Sequence, residues 1–571
     1  MTSSLTIKNE SPYRKYTRNP REDLYPGDPP YGEPLTIIDR DGCILYENHD
    51  GGLLNAIIMG DDVEFLERYF TIAPWAVPSI PAPSDKDELL EYDDYFQLAA
   101  WRGALDVLKM LLTHATKDMD PTQPIRFRPR QYEILHEAAK WGNIEVVQFL
   151  LNNQPLYADI HEQDYDGLTP ILSAADVYSR GDIYSSSWEE VGLPKHEAMM
   201  NLLLDWGACA SDVFNAKWNE KRTIDTVLHM AVEWAGPKLI KRLIDSGADI
   251  HAKVTKDSWT LGFFDLGVDD VSDVNALCVA CLHGNPRAVR TLIDCRGDEV
   301  DAVDMICSRD SHGDIPLHWA TRHRLRDGVA YVSAPVLEKT IQALTEVIEI
   351  LLEIDPSIIN TQDNDGNTPL HYVATGAGGE GKLYSPIIKI LCNEGANAGI
   401  RNKKGETPLH NFLSNRSHEH PFDTDAMATL LAHGAKVTDA DEKGDTPLHI
   451  VVMDLRQLDA VSFLLQRGAN PATRNSNFET CFHAAALGGV FRIKSLDRSA
   501  TEKTNVQEKM LSKLVEVGGP ALMDLPNAEG KSARQICQER RKHWKDQEDR
   551  SWLDRNGWGR GHAPWNRTIK L

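Results

Sequence analysis

The sequence predicts an all-α solenoid, a stack of helix-turn-helix units with long inserts between the helices of some units. Three recurring signals predict it. A tetrapeptide ending in His recurs, an apolar run ending in Gly-Ala follows each clear copy, and an Asp-x-x-Gly turn usually precedes it. The clearest copies of the tetrapeptide are Ile315–His318, Thr368–His371, Thr407–His410 and Thr446–His449. Because 571 residues exceed one ordinary globular core, several domains or a repeat array are expected, and the recurring signals favour the repeat array.

Each signal has a physical role within one unit. Thr can cap a helix start, and Pro suits the first helical turn because its missing N–H would have no partner there. Gly in the apolar runs Leu391–Ala396 and Leu430–Ala435 can adopt the left-handed conformation that ends a helix. The segments Asp363–Gly366 and Asp441–Gly444 predict tight turns. Helices this short are unstable alone, so each unit buries its apolar face by stacking on its neighbours.

The order of these signals identifies the repeat. His371 and His410 are 39 residues apart, as are His410 and His449. The pattern resembles the ankyrin repeat, which has a period of about 33 residues and a T-P-L-H-x-A signature. About eleven units are predicted between roughly residues 50 and 520, with a half-unit at Asn527–Ile536. The extra residues are expected to project as loops between helices, at Asp176–Lys195, Lys253–Ser272, Arg324–Lys339, Gly376–Ser385, Ser414–Asp423 and Gly489–Asn505.

Four segments are predicted along the chain. Residues 1–45 are a disordered or loosely docked tail, 46–300 are divergent repeats, 301–536 are regular repeats with the half-unit, and 537–571 are a Trp-rich tail. The last segment begins as a helix continuing from the half-unit. Its tryptophans predict either a cap packed on the last repeat or a linear motif for a partner. They are Trp544, Trp552, Trp558 and Trp565.

Charge and cysteine content limit the function. The formal charge is 61 − 85 = −24, which disfavours nucleic acid and anionic membranes and suits a basic or neutral protein partner. The acidity could also serve solubility alone. Nine scattered cysteines suggest a reducing compartment. With no apolar leader at Met1–Glu10 and no run of about 18 apolar residues, we expect a cytoplasmic or nuclear monomer that is neither secreted nor membrane-bound.

No catalytic constellation, cofactor motif or complete metal site is recognised. Cys278 and Cys281 resemble half of a zinc site, but they fall where a first helix should pack, so core packing is expected. His418 and His420 are expected to be polar loop residues. The resemblance implies that the recurring histidines tie neighbouring units together by hydrogen bonds, as buried polar groups require. These are His136, His229, His318, His371, His410, His449 and His483.

The resemblance also implies a concave binding face made of turn tips and first helices. After the small residues of three first helices come Trp101-Arg102, Lys140-Trp141 and Glu233-Trp234. Because exposed Trp and Arg dominate protein-binding hot spots, an aromatic strip is predicted there. Packing of these rings between units is the alternative. The predicted tip residues are His312, Asp314, Asn364, Asp365, Asn367, Lys403, Lys404, Glu406, Glu442, Lys443 and Asp445.

The leading functional hypothesis is a non-catalytic scaffold or adaptor that binds a protein partner through this groove. One alternative is an enzyme or a pathway accessory protein with its site in an insert such as Lys253–Ser272. Another is a transcriptional or ubiquitin-ligase co-factor, which would need an appended recognition module. Unrelated functions share repeat folds of this kind, so the sequence does not identify the partner.

Overall fold

A computed structural model describes most of the chain. The described residues are 12–19, 35–47, 52–76, 95–117, 134–154, 156–164, 166–177, 193–218, 221–256, 270–322, 334–379, 384–414, 421–489 and 499–555. They form two compact units, Met1–Ala276 and Leu277–Leu571. The domain limits at residues 300 and 536 stay predictions.

Unit 1 contains five helical pairs among its described residues. Each pair has a short first helix and a second helix that packs beside it, as the repeat signals predict. In chain order they are α1 (Gly52–Met59) and α2 (Val63–Ile72), α3 (Tyr95–Arg102) and α4 (Leu105–Ala115), α5 (Ile134–Lys140) and α6 (Ile144–Asn152), α7 (Pro170–Ala175) and α8 (Leu193–Asp205), and α9 (Val227–Ala231) and α10 (Pro237–Asp245).

Part of the N-terminal segment is docked on the first pair. Strands β1 (Thr36–Ile38) and β2 (Ile44–Tyr46) form an antiparallel hairpin whose Ile37 and Leu45 are buried. The Tyr13 ring stacks on Phe65 with centroids 5.0 Å apart. Alternation over only three residues was too short to be recognised as strand in the sequence.

Strands lie at both ends of one long insert of unit 1, Lys253–Ser272, while most of the insert Asp176–Lys195 lies outside the described residues. Strands β3 (Val213–Trp218), β4 (Lys221–Thr226), β5 (Lys253–Lys256) and β6 (Val271–Asn275) form one antiparallel sheet in the order β3-β4-β5-β6. The expectation that Lys253–Ser272 is a projecting loop is therefore wrong at both ends of the segment, where β5 and β6 lie. The turns before two neighbouring repeats are long enough here to pair their backbones with each other.

Six more pairs and a terminal helix make up the rest of the described chain. They are α11 (Ala276–Leu282) and α12 (Pro286–Asp294), α14 (Pro316–Thr321) and α15 (Ala334–Ile354), α16 (Pro369–Gly379) and α17 (Ser385–Asn393), α18 (Pro408–Ser414) and α19 (Thr424–Ala432), α20 (Pro447–Val451) and α21 (Leu458–Gln466), and α22 (Cys481–Leu487) and α23 (Ala500–Gly518). The short α13 (Ala302–Ile306) precedes α14, and α24 (Ala533–Arg555) follows the half-unit turn. Eleven pairs and a terminal half-unit in the described residues agree with the predicted count.

Several predicted loops of this part are partly helical. Helix α15 begins at Ala334, inside the expected loop Arg324–Lys339, and α16 continues to Gly379, inside Gly376–Ser385. The start of α15 is rich in helix-forming residues. Gly376 lies inside α16 despite its low helix propensity, next to the Tyr384 ring. Either helix of a pair can therefore be longer than the repeat signature indicates, as the second helix α15 and the first helix α16 show.

The histidine prediction is confirmed. In every copy the Nε2–H donates to a backbone carbonyl in the segment that precedes the next unit's first helix, over 3.0–3.3 Å; for His229 this is Val274 of β6. In the Thr copies Nδ1 meets the Thr hydroxyl, as between His371 and Thr368 at 2.8 Å. Burial lowers the pKa of His371 to about 4, so the ring is neutral and can accept on one side while donating on the other.

The described C-terminal residues continue as a helix, as expected. Trp544 is 5% exposed on α24, which packs against α22 and α23, so this ring belongs to the cap. The side chains of Trp552, Trp558 and Trp565 lie outside the described residues. Among the described helices, none combines the length and apolarity that crossing a membrane demands.

Candidate functional site

Two of the three predicted tryptophans are neighbours. Trp101 lies in α3 and Trp141 directly follows α5, and their rings meet edge to face with centroids 5.6 Å apart and planes at 62°. Both side chains are half-buried. The pair thus presents a partly open aromatic surface on consecutive first helices of unit 1, at the place the repeat pattern predicts.

A carboxylate holds this pair in place. Glu137 in α5 accepts a hydrogen bond from Trp141 Nε1 on one oxygen and from Gln97 Nε2 of α3 on the other, each over 3.1 Å. Glu137 and Trp141 are four residues apart, so helical geometry places their side chains on the same face. Glu137 therefore links the two first helices and fixes the orientation of the indole.

The aromatic pair lines a cavity of about 520 Å³ that opens on the surface of unit 1. First helices α1, α3 and α5 all contribute to its wall. The apolar part is Met59, Leu98, Trp101 and Trp141, and the polar part is Asn55, Gln97, Glu137 and Lys140. We call these eight residues the indole groove. Its volume lies within the range of about 300–1,000 Å³ that known ligand pockets span.

Two basic residues border the aromatic pair. The Arg102 guanidinium lies 5.5 Å from the centre of the Trp101 ring, and Arg102 is exposed. Lys140 is half-buried in the wall of the indole groove. Among the described residues neither cation has an ion-pair partner. Arg102, Lys140, Trp101 and Trp141 are therefore brought together as predicted.

The third pair of predicted residues lies elsewhere, which corrects the expectation of an exposed three-ring strip. Trp234 is only 8% exposed, and its Nε1 donates to the carbonyl of Ala175 at the end of α7 over 2.9 Å. Glu233 lies 3.8 Å from the buried Nζ of Lys256 on β5. The Ala175 carbonyl, which also accepts from the Val177 N–H, takes the indole of Trp234, and the buried cation of Lys256 attracts Glu233. The packing alternative applies to Trp234.

The predicted tips of unit 2 form a hydrogen-bonded row. The backbone N–H groups of Asn364, Lys403 and Glu442 donate to the preceding tip at distances of 2.8–2.9 Å. This backbone pairing leaves the side chains at the outer positions free to vary. The exposed members are Asn364, Asp365, Lys403, Lys404, Glu442 and Lys443, and the half-buried members are His312, Asn367, Glu406 and Asp445.

The prediction that Asp314 is a tip residue of the binding face is wrong. Its side chain is fully buried and lies 2.6 Å from the Arg322 guanidinium. Burial, partly offset by Arg322, raises the pKa of Asp314 to about 7. Tyr372 hydrogen-bonds to both Arg322 and Asp363. The carboxylate belongs to a buried polar network between α14 and α16 and offers no surface to a partner.

Sequence analysis missed five residues of the indole groove, Asn55 and Gln97 among them, and one exposed ring. Met59, Leu98 and Glu137 line the groove, and aligning the first helices would have found Met59, since it follows Ile57-Ile58 as Trp101 follows Ala99-Ala100. Phe478 stands where neighbouring turns have Gly. It is 57% exposed and has φ of +58°.

The predicted packing of Cys278 and Cys281 is confirmed, since they are 1% and 0% exposed in α11. Burial raises the pKa of the Cys281 thiol, which disfavours the thiolate that a metal would need. His418 and His420 lie outside the described residues. Across the described ranges, no group of three or more His, Cys, Asp or Glu could hold a metal ion.

Known proteins with similar sequences agree with this architecture. A family model described as ankyrin repeats in three copies matches residues 96–183 and 377–475, and a single ankyrin-repeat model matches 225–254. The neurogenic locus notch homolog protein 1 of Xenopus tropicalis is 27% identical over 214 residues, which are 34% of this chain and 8% of that protein. The chain thus spans a small part of that relative. Together with the eleven helical pairs among the described residues and their histidine links, these matches show that the chain is an ankyrin-repeat protein.

Proposed function

We propose that this chain is a non-catalytic scaffold or adaptor that binds a partner protein through the indole groove. Ankyrin repeats are in general protein-interaction modules. The observation that carries the proposal is the half-buried Trp101–Trp141 pair in the wall of a 520 Å³ cavity. Partly open tryptophans in such a cavity are the residue class that most often dominates binding energy.

The contacts of the pair favour a binding role over simple packing. Glu137 fixes the Trp141 indole by a hydrogen bond, so little side-chain entropy is lost when a partner covers the ring. The cavity leaves apolar surface of Met59 and Leu98 beside the rings. Apolar surface of this kind gains free energy when a partner removes it from water.

The use of titratable groups supports a non-catalytic role. The recurring histidines are engaged in hydrogen bonds between repeats, and burial lowers the pKa of His229 to about 3 and that of His136 to about 4. A general base needs a pKa near the working pH and access to substrate. These rings have neither property.

The test is affinity capture of the partner from the native cell, followed by binding measurements with the captured protein. We expect Trp101→Ala and Trp141→Ala each to weaken binding by about 2 kcal/mol, or roughly 30-fold. The effects should not add fully, because the rings touch. Circular dichroism would check that each variant keeps its helical content.

Trp75→Ala is the matched control, since Trp75 is 77% exposed in unit 1 and lies outside the indole groove. It should bind like wild type. If the Trp101/Trp141 double variant folds and keeps full affinity, the groove is not the binding site. Loss of affinity in the Trp75 variant alone would place the site elsewhere in unit 1.

A further inference from the structure

The charges around the indole groove differ in sign from the molecule as a whole. The chain carries a formal charge of −24, yet two cations border the aromatic pair: the Arg102 guanidinium lies 5.5 Å from the centre of the Trp101 ring, and Lys140 lies in the wall of the indole groove. Neither has an ion-pair partner among the described residues. Two unpaired cations beside an aromatic pair favour an anionic group on whatever covers them.

The carboxylate in the groove does not cancel this preference. Both oxygens of Glu137 already accept a hydrogen bond, one from Gln97 and one from Trp141. A cationic side chain of a partner would have to compete with these donors and approach two like charges. An anionic side chain meets Arg102 and Lys140 directly, and neither has to give up an ion pair first.

The apolar wall sets the second requirement. Met59, Leu98 and the two indoles offer contact surface to an apolar or aromatic side chain, and the open cavity of about 520 Å³ has room for a few side chains but not for a folded domain. The ligand must therefore combine an apolar anchor with flanking negative charge in a short segment of chain.

We infer that the indole groove binds an acidic segment of the partner protein, in which an aromatic or aliphatic side chain is flanked by Asp or Glu. This inference rests on the proposed function and adds the chemistry of the partner. The anchor fills the space beside Trp101 and Trp141, and the flanking carboxylates pair with Arg102 and Lys140. The overall acidity of the chain repels acidic molecules at long range, so binding requires the anchor as well as the charge.

The experiment uses the full chain and two fluorescent hexapeptides in an anisotropy titration. The acidic probe is Glu-Asp-Phe-Leu-Asp-Glu and the basic probe is Lys-Arg-Phe-Leu-Arg-Lys. Wild type should bind the acidic probe at least tenfold more tightly. The charge-reversal variant Arg102→Glu/Lys140→Glu should invert that order, and Trp101→Ala/Trp141→Ala should bind both probes at least tenfold more weakly.

The control is Lys238→Glu/Lys241→Glu, which changes the net charge equally on exposed residues of α10 in the same unit. It should keep the wild-type order. An inverted order in this control would show that net charge alone sets the preference and would overturn the inference. So would tighter binding of the basic probe by wild type, an unchanged order in Arg102→Glu/Lys140→Glu, or no saturable binding of either probe.

The proposed function fails by a different result. If the captured partner binds Trp101→Ala/Trp141→Ala as well as wild type, the groove itself is excluded. If that partner is lost from the Trp variant but is unaffected by Arg102→Glu/Lys140→Glu, the groove stands as the site and only its acidic preference is wrong.

Discussion

Single residues show where this chain departs from its own repeat, and Phe478 departs most. The turn Asn475–Phe478 has the same backbone hydrogen bond as its neighbours, with Phe478 N–H donating to Asn475 O over 2.9 Å. Its φ of +58° is the left-handed conformation that the neighbouring turns assign to Gly. A bulky aromatic residue in that region is strained by about 1–3 kcal/mol. The ring is exposed, and its contact with the Arg474 guanidinium, 6.0 Å from the ring centre, offsets only about 0.5 kcal/mol of this strain.

Phe478→Gly should therefore raise the free energy of unfolding by about 1 kcal/mol, because Gly adopts positive φ without strain. Urea denaturation followed by circular dichroism would measure this. Phe478→Ala is the matched control and should give no comparable gain, since Ala has the same steric restriction at this φ. Equal stabilisation by both substitutions would contradict the argument from strain.

The buried histidines predict how stability depends on pH. Their folded-state pKa values, about 3 for His318 and about 4 for His371, lie below the ordinary value near 6.5. The unfolded chain therefore takes up protons first as pH falls. The stability that these neutral rings contribute is complete above about pH 6.5 and is lost as pH falls towards 4. Asp314 acts in the opposite direction, because its pKa is raised to about 7.

We expect the urea midpoint to fall between pH 7.5 and pH 5, with His371→Gln showing a shallower fall than wild type because one titrating group has been removed. The comparison is the change in midpoint between the two pH values, so the lower absolute stability of the variant does not affect it. A variant as steep as wild type would show that this ring does not contribute to the acid sensitivity.

At the scale of elements, neighbouring turn tips pack so closely that some turn positions need Gly for lack of space as well as for backbone conformation. Gly405 has φ of +74°, and a Cβ there would lie 2.9 Å from the backbone nitrogen of Glu442 on the next tip. Gly530, on the last turn, has a similar φ of +77°, but a Cβ would meet nothing within 4 Å. A side chain at position 405 would be disfavoured both by the positive φ and by a clash with the next tip. At position 530 it would be disfavoured by the positive φ alone.

Gly405→Ala should thus destabilise the protein more than Gly530→Ala. The second substitution should cost about 1 kcal/mol for positive φ, while the first adds overpacking of about 1–3 kcal/mol between adjacent tips. Denaturation midpoints of the two variants give the difference. Equal losses would mean that neighbouring turns can separate without cost.

At the scale of the whole molecule, each repeat packs mainly on its neighbours, so a core defect should act locally. Leu150 in unit 1 and Leu430 in unit 2 are both fully buried on second helices. Replacing either by Ala leaves a cavity that costs about 2–5 kcal/mol. In a stack of nearest-neighbour contacts this loss is felt most by adjacent repeats.

Leu150→Ala should accelerate amide hydrogen exchange within residues 95–177, with exchange in residues 384–489 close to wild type. Leu430→Ala should do the opposite: it should accelerate exchange within residues 384–489 and leave exchange in residues 95–177 close to wild type. Exchange measured by mass spectrometry would test both variants under the same conditions. Uniform acceleration along the chain in either variant would show one cooperative unit instead.

The sequence by itself determined the repeat. Thr, Pro, His and Gly act within a few residues of their own position, by capping a helix, starting it or ending it, so the eleven described pairs and the histidine links followed from local patterns. The same locality placed Trp101 and Trp141 at groove positions before any contact was known.

Only the tertiary structure decided which of the predicted site residues remain accessible to a partner. Trp234 has the same place in its repeat as Trp141, yet it is buried against Ala175, and Asp314 is drawn to Arg322 although it sits on a predicted tip. The paired strands of the inserts also needed partners from the next repeat. Burial and pairing depend on groups that can be distant in the sequence: Arg322 is 8 residues from Asp314, and Ala175 is 59 residues from Trp234 in another repeat. A local sequence pattern carries no information about which carbonyls, charges or strands the folded chain brings close.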